Sequence, residues 1–167
     1  MTIVHIRAAQ PGDEKDMAYI QTESWKAAFA HILDADTLHA MTDPSRIECM
    51  YRSVLEKGKG HGYILTLDGR GHCIAWWDEA RDPDMEGKAE LFCIHSLPHN
   101  WHKGLGSRMM DRVLKDVRKE GYTEIMLWVF TANRRAAAFY EANGFQRTGR
   151  TKTAFGAEET CYSRTLP

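Results

Sequence analysis

Two glycines stand between an apolar run and a helical pattern, and this arrangement suits the binding of an anion. The glycines are Gly104 and Gly106, and the apolar run before them covers residues 91–94. The helical pattern after them places apolar side chains four residues apart, at Leu105, Met109, Val113 and Val117. Glycine lets a backbone approach a ligand closely, and the first turn of a helix carries unpaired N–H groups and a positive dipole end. The segment therefore predicts a strand, a loop and a helix start that bind a phosphate or pyrophosphate.

Two common nucleotide-binding loops do not fit this segment. A Walker-type loop needs a lysine and then a serine or threonine after its glycine, whereas here Lys103 precedes Gly104 and Leu105 follows it. A dinucleotide loop needs a third glycine three residues after the second one, and that position holds Met109. The pattern favours a different kind of pyrophosphate ligand.

A second segment further along the chain has its own order of residues. An apolar strand candidate covers residues 124–129, and Asn133 then opens an alanine-rich run that contains Phe-Tyr-Glu and ends in Asn-Gly-Phe. Asparagine is a good helix N-cap, and alanine is a strong helix former. Gly144 falls where a left-handed residue ends a helix. The segment predicts a strand followed by a capped helix.

Together, the two segments resemble the two signatures of the GCN5-related N-acetyltransferases, the GNAT superfamily. The resemblance extends from about Gly62 to Phe145 and is weaker over residues 24–33. It implies a single N-acetyltransferase domain over residues 1–167. The implied fold is α/β, of the α+β type: a mixed, mostly antiparallel twisted sheet with a splayed central parallel strand pair, flanked by helices.

The other predicted elements follow from periodicity and turn residues. Alternation and helical spacing predict a strand at residues 3–7, a helix at 13–29, a short helix capped by Asp34 and a helix from Pro44 to Leu55. A hairpin is expected around residues 68–71, a central strand at 89–97, and a closing hairpin around Gly156.

The resemblance also implies a ligand and the residues that bind it. In this family the coenzyme A pyrophosphate lies on the glycine loop, and the pantetheine arm runs between the splayed strands. Acetyl-CoA is therefore the expected co-substrate, without a metal. The residues assigned to its binding are His95, Ser96, Leu97, His102, Lys103, Gly104, Leu105, Gly106, Ser107, Arg108, Asn133, Ala137 and Tyr140. Trp101 departs from the family, which usually has glutamine or arginine there, and we expect Lys103 or Arg108 to supply the missing charge.

The implied reaction is direct transfer of the acetyl group to a primary amine, which must be neutral to attack. A lysine-like amine has a pKa near 10.4, so about one part in a thousand is neutral at pH 7.4, equivalent to roughly 4 kcal/mol. Glu90 lies where some relatives carry a catalytic glutamate, and it is the candidate general base, with a water as a relay. The alternative is an ordinary carboxylate at the start of a strand.

Tyr140 falls on the tyrosine with which family members protonate the leaving thiolate. Transfer from a phenol with a pKa near 10 to a thiolate near 8.5 is uphill by about 2 kcal/mol. A hydrogen bond to the thiolate is therefore as much an expected role as proton delivery. The alternative is a tyrosine that only packs in the core.

Length and charge exclude several classes of protein. A chain of 167 residues fits one domain, and a formal net charge of -1 gives no general attraction to nucleic acid. No apolar run approaches the roughly 20 residues needed to cross a bilayer, and the first residues lack a signal-peptide pattern. The four cysteines are widely spaced, which suits reduced thiols. We expect a cytoplasmic protein with no nucleic-acid or membrane partner, and the resemblance allows a homodimer.

Several alternatives stay open from the sequence. Peptide N-termini, lysine side chains, polyamines, aminoglycosides and small amino acids are all candidate acceptors, and the acidic residues between 78 and 86 either attract a cationic amine or form a solvated loop. A zinc site is a weak alternative for the four residues Cys93, His95, His99 and His102. Two rival functions are a non-catalytic acyl-CoA-binding sensor on the same fold and an interaction protein that binds no coenzyme.

Overall fold

One seven-stranded sheet runs through the molecule, with helices on both of its faces. The computed structural model describes all of residues 1–167. The strands are β1 (Val4–Ala8), β2 (His61–Leu67), β3 (Arg70–Glu79), β4 (Ala89–Ser96), β5 (Glu124–Phe130), β6 (Gln146–Ala154) and β7 (Ala157–Thr165). The helices are α1 (Glu14–Phe29), α2 (Ala35–Met41), α3 (Pro44–Lys57), α4 (Leu105–Lys119) and α5 (Arg134–Ala142). No helix is long and apolar enough to span a bilayer.

The strand order is β1-β2-β3-β4-β5-β7-β6, and only β4 and β5 are parallel. This confirms the predicted mixed, mostly antiparallel sheet with one central parallel pair. The parallel pair is joined only at its start, where Ala89 faces Ile125 and Glu90 faces Met126. Beyond these residues the two strands diverge, as the resemblance implied.

A bulge bends β4 close to the point where it leaves β5. Trp76 of β3 faces Cys93, whereas the next residue, Trp77, faces Leu91, so Phe92 has no partner of its own. An extra residue of this kind kinks a strand and increases its local twist. The bulge thus lies two residues beyond the last β4–β5 pair, where the two strands part.

The two faces of the sheet bury different sets of side chains. Helices α4 and α5 pack on one face, here the α4 face, in a cluster that includes Leu91, Leu127 and Tyr140. Helices α1 and α3 pack on the opposite face, the α1 face, where α1 lies over β3 and β4. Strand alternation assigns successive residues of β5 and β7, and of β4 outside its bulge, to these two faces in turn.

Local signals explain where the short helices begin and end. The Asp34 side chain accepts a hydrogen bond from the Thr37 amide at 2.9 Å, and Asn133 accepts one from the Ala136 amide at 3.2 Å. Both predicted N-caps are therefore confirmed. Gly144 has a φ of 83°, which confirms the left-handed residue expected after α5.

Asp13 precedes α1 and joins that helix to β1. Its carboxylate accepts hydrogen bonds from Arg7 Nη1 and Nη2 at 2.7 and 2.8 Å and from the Gln10 amide at 2.8 Å. The hydrogen-bonded guanidinium lowers the pKa of Asp13 below its ordinary value of 3.8, against the effect of burial. The ion pair fixes the first turn of α1 beside the edge of the sheet.

We expect Asp13→Asn to lower the free energy of unfolding by about 1.5–3 kcal/mol near pH 7, because it removes charged hydrogen bonds from a buried site. A carboxylate with a depressed folded-state pKa stabilises the fold above its unfolded pKa, and this contribution is lost as the pH falls through the folded value. Urea denaturation across that pH range should show wild type and variant converging in acid. Asp36→Asn, at an exposed site, is the control. A gap that persists unchanged in acid would contradict the assignment.

Candidate functional site

The loop between β4 and α4 presents an unbroken row of unpaired main-chain amides. The Trp101 amide donates to the Pro98 carbonyl, and the Arg108 amide donates to the Gly104 carbonyl. No amide of residues 102–107 donates to a main-chain or side-chain acceptor. These amides surround the N-terminus of a 15-residue helix, where the helix dipole is positive. The arrangement fits a pyrophosphate.

Backbone conformation and one indole hold this loop in place. His102 and Gly104 have φ values of 61° and 77°, in the left-handed region. A Cβ on Gly104 would meet no atom within 4 Å, so glycine is favoured there by conformation and not by space. The Trp101 indole donates to the Ser96 carbonyl at 2.9 Å, which ties the loop to the end of β4.

Gly106 brings the two sequence signatures into contact. A Cβ on Gly106 would lie 3.1 Å from a ring atom of Phe139 on α5. Such a contact is tighter than most Cβ atoms make, so a larger residue would require the Phe139 ring to shift by a few tenths of an ångström. The second glycine of the loop therefore suits the close packing of α4 on α5.

Three cations lie near the loop. The Arg135 guanidinium stacks 3.5 Å from the centre of the Trp101 ring. Lys103 donates to the Asn100 side chain at 3.2 Å, and Arg108 is exposed on the first turn of α4. Burial lowers the pKa of Arg135, and Tyr140 partly opposes this change. The indole that replaces the family's usual polar side chain therefore positions a cation.

Tyr140 lies on α5 with a hydroxyl group that has no partner. The residue is 8% exposed, and its ring packs edge-on against Phe139 and Phe145, with centroids 5.5 and 5.9 Å away. The hydroxyl makes no hydrogen bond within the protein, yet no unpartnered polar atom is fully enclosed, so this oxygen opens to solvent. Burial raises the pKa of Tyr140, and the nearby Cys93 thiol adds to the rise while Arg135 opposes it. Tyr140 is therefore a protonated donor with a free hydrogen.

The predicted contacts at the end of β4 have different surroundings. His95 Nε2 accepts a hydrogen bond from the Trp25 indole at 3.2 Å, and burial lowers the pKa of His95 to about 4, with a smaller effect of Arg135. His95 is thus neutral at physiological pH. The Leu97 amide already donates to the His72 carbonyl at 3.0 Å, so it has no hydrogen left for a ligand.

The first turn of α5 lies beside the same region. Besides its side-chain cap, Asn133 accepts the Ala137 amide on its carbonyl at 3.0 Å, and Ala137 packs against the cluster on the α4 face. The capping role of Asn133 is confirmed, whereas coenzyme contacts from Asn133 and Ala137 stay predictions.

Both carboxylate oxygens of Glu90, the predicted base, accept hydrogen bonds within the protein. It is 2% exposed, and one oxygen accepts Arg81 Nη2 at 2.7 Å. The other oxygen accepts the Arg81 amide and Nε at 3.0 and 3.2 Å. The Arg81 guanidinium also stacks 4.3 Å from the centre of the Phe92 ring. A proton could reach Glu90 only if this pair rearranged or a water relayed it.

A second carboxylate on the same face was not singled out in the sequence. Glu159 of β7 faces Phe130 of β5 in register and is half-buried. It forms neither a hydrogen bond nor an ion pair. Burial raises its pKa above the usual range, Lys152 and Arg81 act against the rise, and Glu90 adds to it. Nothing in the alternation of β7 distinguishes Glu159 from its neighbours, so sequence reasoning had no signal for it.

Aromatic rings form one wall beside these carboxylates. The Phe29 ring lies edge-on to Trp25 and Phe130, with centroids 4.9 and 5.0 Å apart. Phe155, at the turn between β6 and β7, lies 6.0 Å from Trp25, is 45% exposed and has a φ of 53°. We use the term open groove for the part of the α1 face between this wall and loop 80–88. Strand alternation and packing place Glu90, Phe92, Trp128 and Glu159 on this part of the face, and we call these four residues its floor.

Loop 80–88 forms the opposite wall, and two of its acidic side chains have partners. Asp82 accepts the Trp128 indole N–H at 2.9 Å, and Asp84 pairs with Arg150 of β6. The acidic loop is therefore attached to the sheet. The alternative zinc residues are not assembled as a metal centre: no group of three or more potential ligands is placed to hold an ion.

Comparisons with known proteins agree with this geometry. A family model described as the acetyltransferase (GNAT) family matches residues 17–145. A probable N-acetyltransferase of Mycobacterium tuberculosis is 25% identical over 152 residues, which cover 90% of this chain and 84% of that protein. The PaiA N-acetyltransferase of Thermoplasma acidophilum, solved in complex with coenzyme A, superposes with a TM-score of 0.82 at 18% identity, over 98% of this chain and 99% of that one. YncA of Salmonella typhimurium, solved with its cofactor acetyl-CoA, gives a TM-score of 0.75 at 18% identity, over 98% and 94%.

Gly104→Ala tests whether the loop amides bind the ligand. An alanine at this φ costs about 1–2 kcal/mol, so the free loop should relax and binding must restore the strained conformation. We expect the dissociation constant of coenzyme A, measured by calorimetry, to rise about tenfold. The matched control is Gly121→Ala, at the other end of α4, where φ is 92° and no atom lies within 4 Å of the new Cβ. It should lose similar stability and keep wild-type affinity; equal affinities for both variants would refute the loop assignment.

Proposed function

Since the chain belongs to the acetyltransferase (GNAT) family and is an acetyl-CoA-dependent acyltransferase, we propose that it acetylates a primary amine by direct attack on the thioester, without an acyl-enzyme. The observation that carries the binding part of this proposal is the row of unpaired amides at residues 102–107. Those amides are free to donate hydrogen bonds to a pyrophosphate, and the helix dipole favours its charge.

In this proposal, the diverging strands β4 and β5 hold the pantetheine arm between them. The main chain of His95 and Ser96 supplies contacts to its amides, and a donor near the thioester carbonyl stabilises the charge that develops during transfer. The pairing of β4 with β5 at only two positions supports this assignment, because it leaves main-chain groups of both strands without strand partners. Holding the two reactants together supplies a further part of the rate.

Tyr140 acts on the departing thiolate. Its raised pKa makes complete proton transfer to sulfur less favourable than the ordinary values suggest, so we assign it mainly the role of hydrogen-bond donor. The free hydroxyl hydrogen supports that role. The pKa of the Cys93 thiol is raised to about 11, chiefly by burial, which keeps this neighbour neutral and inactive as a nucleophile.

The acceptor amine enters from the open groove, which lies on the face opposite α4 and α5. The general base is a carboxylate on the groove floor, and the assignment of this role to Glu90 stays a prediction. Because both Glu90 oxygens are hydrogen-bonded to Arg81, a water would have to relay the proton from the amine to Glu90. A cytoplasmic location is part of the same proposal, since all four cysteines are free thiols.

The overall proposal is tested by incubating the protein with acetyl-CoA and a panel of amines. The panel comprises an alanyl peptide, N-acetyl-lysine, spermidine, tyramine, an aminoglycoside and glycine, and released thiol is measured. We expect turnover with at least one amine and a mass increase of one acetyl group on that amine. Binding of coenzyme A without turnover of any amine would favour the acyl-CoA sensor instead.

We expect Tyr140→Phe to reduce kcat about 100-fold, because it removes the donor to the leaving sulfur. The dissociation constant of coenzyme A should stay within a factor of about two, since the ring and its packing remain. Tyr122→Phe, a half-buried tyrosine packed on Trp77, is the matched control and should keep wild-type kcat. Wild-type kcat in Tyr140→Phe would remove this residue from the mechanism.

A further inference from the structure

The floor of the open groove holds two carboxylates with opposite surroundings. Glu90 accepts three hydrogen bonds from Arg81 and is 2% exposed. Glu159 is half-buried and has no hydrogen-bond or ion-pair partner. A partly desolvated carboxylate without a partner is costly for the fold, and this cost falls when a cation binds to it.

Strand register places Glu159 beside the end of β5, on the side of β5 that faces away from β4. It faces Phe130, the last residue of β5, across the antiparallel ladder. Its neighbours on the same face of β7 are Ala157, which packs near Phe130, and Cys161, which packs on Met126. Glu159 therefore lies between the aromatic wall and the residues under loop 80–88, at the centre of the groove floor.

None of the charged groups around Glu159 forms an ion pair with it, so its carboxylate can bind a cation from solution. Arg81 is held by Glu90, so its charge is already compensated. Lys152 faces Glu159 across the β6–β7 ladder, but its ammonium lies 4.3 Å from the centre of the Trp128 ring and forms no ion pair. Glu159 is therefore the carboxylate of the groove floor that no cation pairs with directly.

We propose that Glu159, and not Glu90, is the carboxylate that binds the ammonium group of the acceptor and takes its proton. This inference rests on the proposed acetyl transfer and adds a residue to it. The role of Glu90 is then to neutralise Arg81, which would otherwise pair with Glu159 and block it. Burial raises the basicity of Glu159, which suits a group that must accept a proton near neutral pH.

The proton transfers of this reaction involve Glu159 on one face of the sheet and Tyr140 on the other. One ammonium proton passes to Glu159, and the freed nitrogen lone pair attacks the thioester carbonyl carbon. The carbon–sulfur bond then breaks and its electron pair leaves on sulfur. The second proton of the attacking nitrogen reaches that sulfur with the help of the Tyr140 hydroxyl, and Glu159 returns its proton to solvent.

The test compares Glu159→Gln with Glu158→Gln, using the amine of the panel that the wild type acetylates best. Glu158 is the adjacent, exposed residue of β7, on the opposite face by strand alternation, and its change removes the same charge. We expect Glu159→Gln to lower kcat/KM for the amine about 100-fold or more, with unchanged coenzyme A affinity and circular dichroism. Glu158→Gln should stay within threefold of wild type, and Glu159→Asp should retain part of the activity.

A second measurement does not depend on turnover. Propylamine added to the coenzyme A complex should shift the carboxyl NMR resonance of Glu159 in the wild type. Absence of that shift, or a kcat/KM within threefold of wild type in Glu159→Gln, would overturn the inference. Absence of turnover by the wild type with every amine is a different result, because it would refute the proposed function. The NMR shift would then still test whether Glu159 binds the ammonium group.

Discussion

The divergence of β4 and β5 after Glu90 and Met126 is the constraint on which the rest of the site depends. A continuous ladder would separate the two faces of the sheet completely. Because the strands part, groups carried by α4 and α5 on one face can approach groups carried by α1, β7 and loop 80–88 on the other. The bulge at Phe92 lies just beyond this point, and the Trp101 indole bonded to Ser96 holds the glycine loop against the end of β4.

Most of the fold was accessible from the sequence because its signals are local. Gly104, Asn133 and Gly144 each occupy a position whose backbone conformation or capping bond demands that residue type, and all three lie where the pattern predicts. The resemblance to a family supplied the sheet topology, which periodicity alone does not contain. Element boundaries differ from the predicted ones by only a few residues, as in α2, which continues beyond Leu38 to Met41.

The side-chain partners could not be predicted, because they depend on strand register and on contacts distant in sequence. Trp25 and His95 are 70 residues apart in sequence, and burial keeps the histidine neutral, so that its Nε2 accepts the Trp25 indole N–H. Glu90 was predictable as an acidic residue at the start of a strand, but its saturation by Arg81 was not. Glu159 had no distinguishing neighbours, since its importance arises from the ladder that places it beside Phe130.

The bond between Arg81 and Glu90 has a consequence for how such chains diverge in evolution. The Glu90 carboxylate is 2% exposed while the Arg81 side chain is 65% exposed. The cost of a substitution to the stability of the fold therefore differs between the two positions. Loss of the arginine alone would leave the buried Glu90 carboxylate without a partner for its charge. Homologues that shorten or recompose the segment carrying position 81 should therefore show a correlated change to a neutral residue at position 90, which makes this pair a marker for tracing lineages within the family.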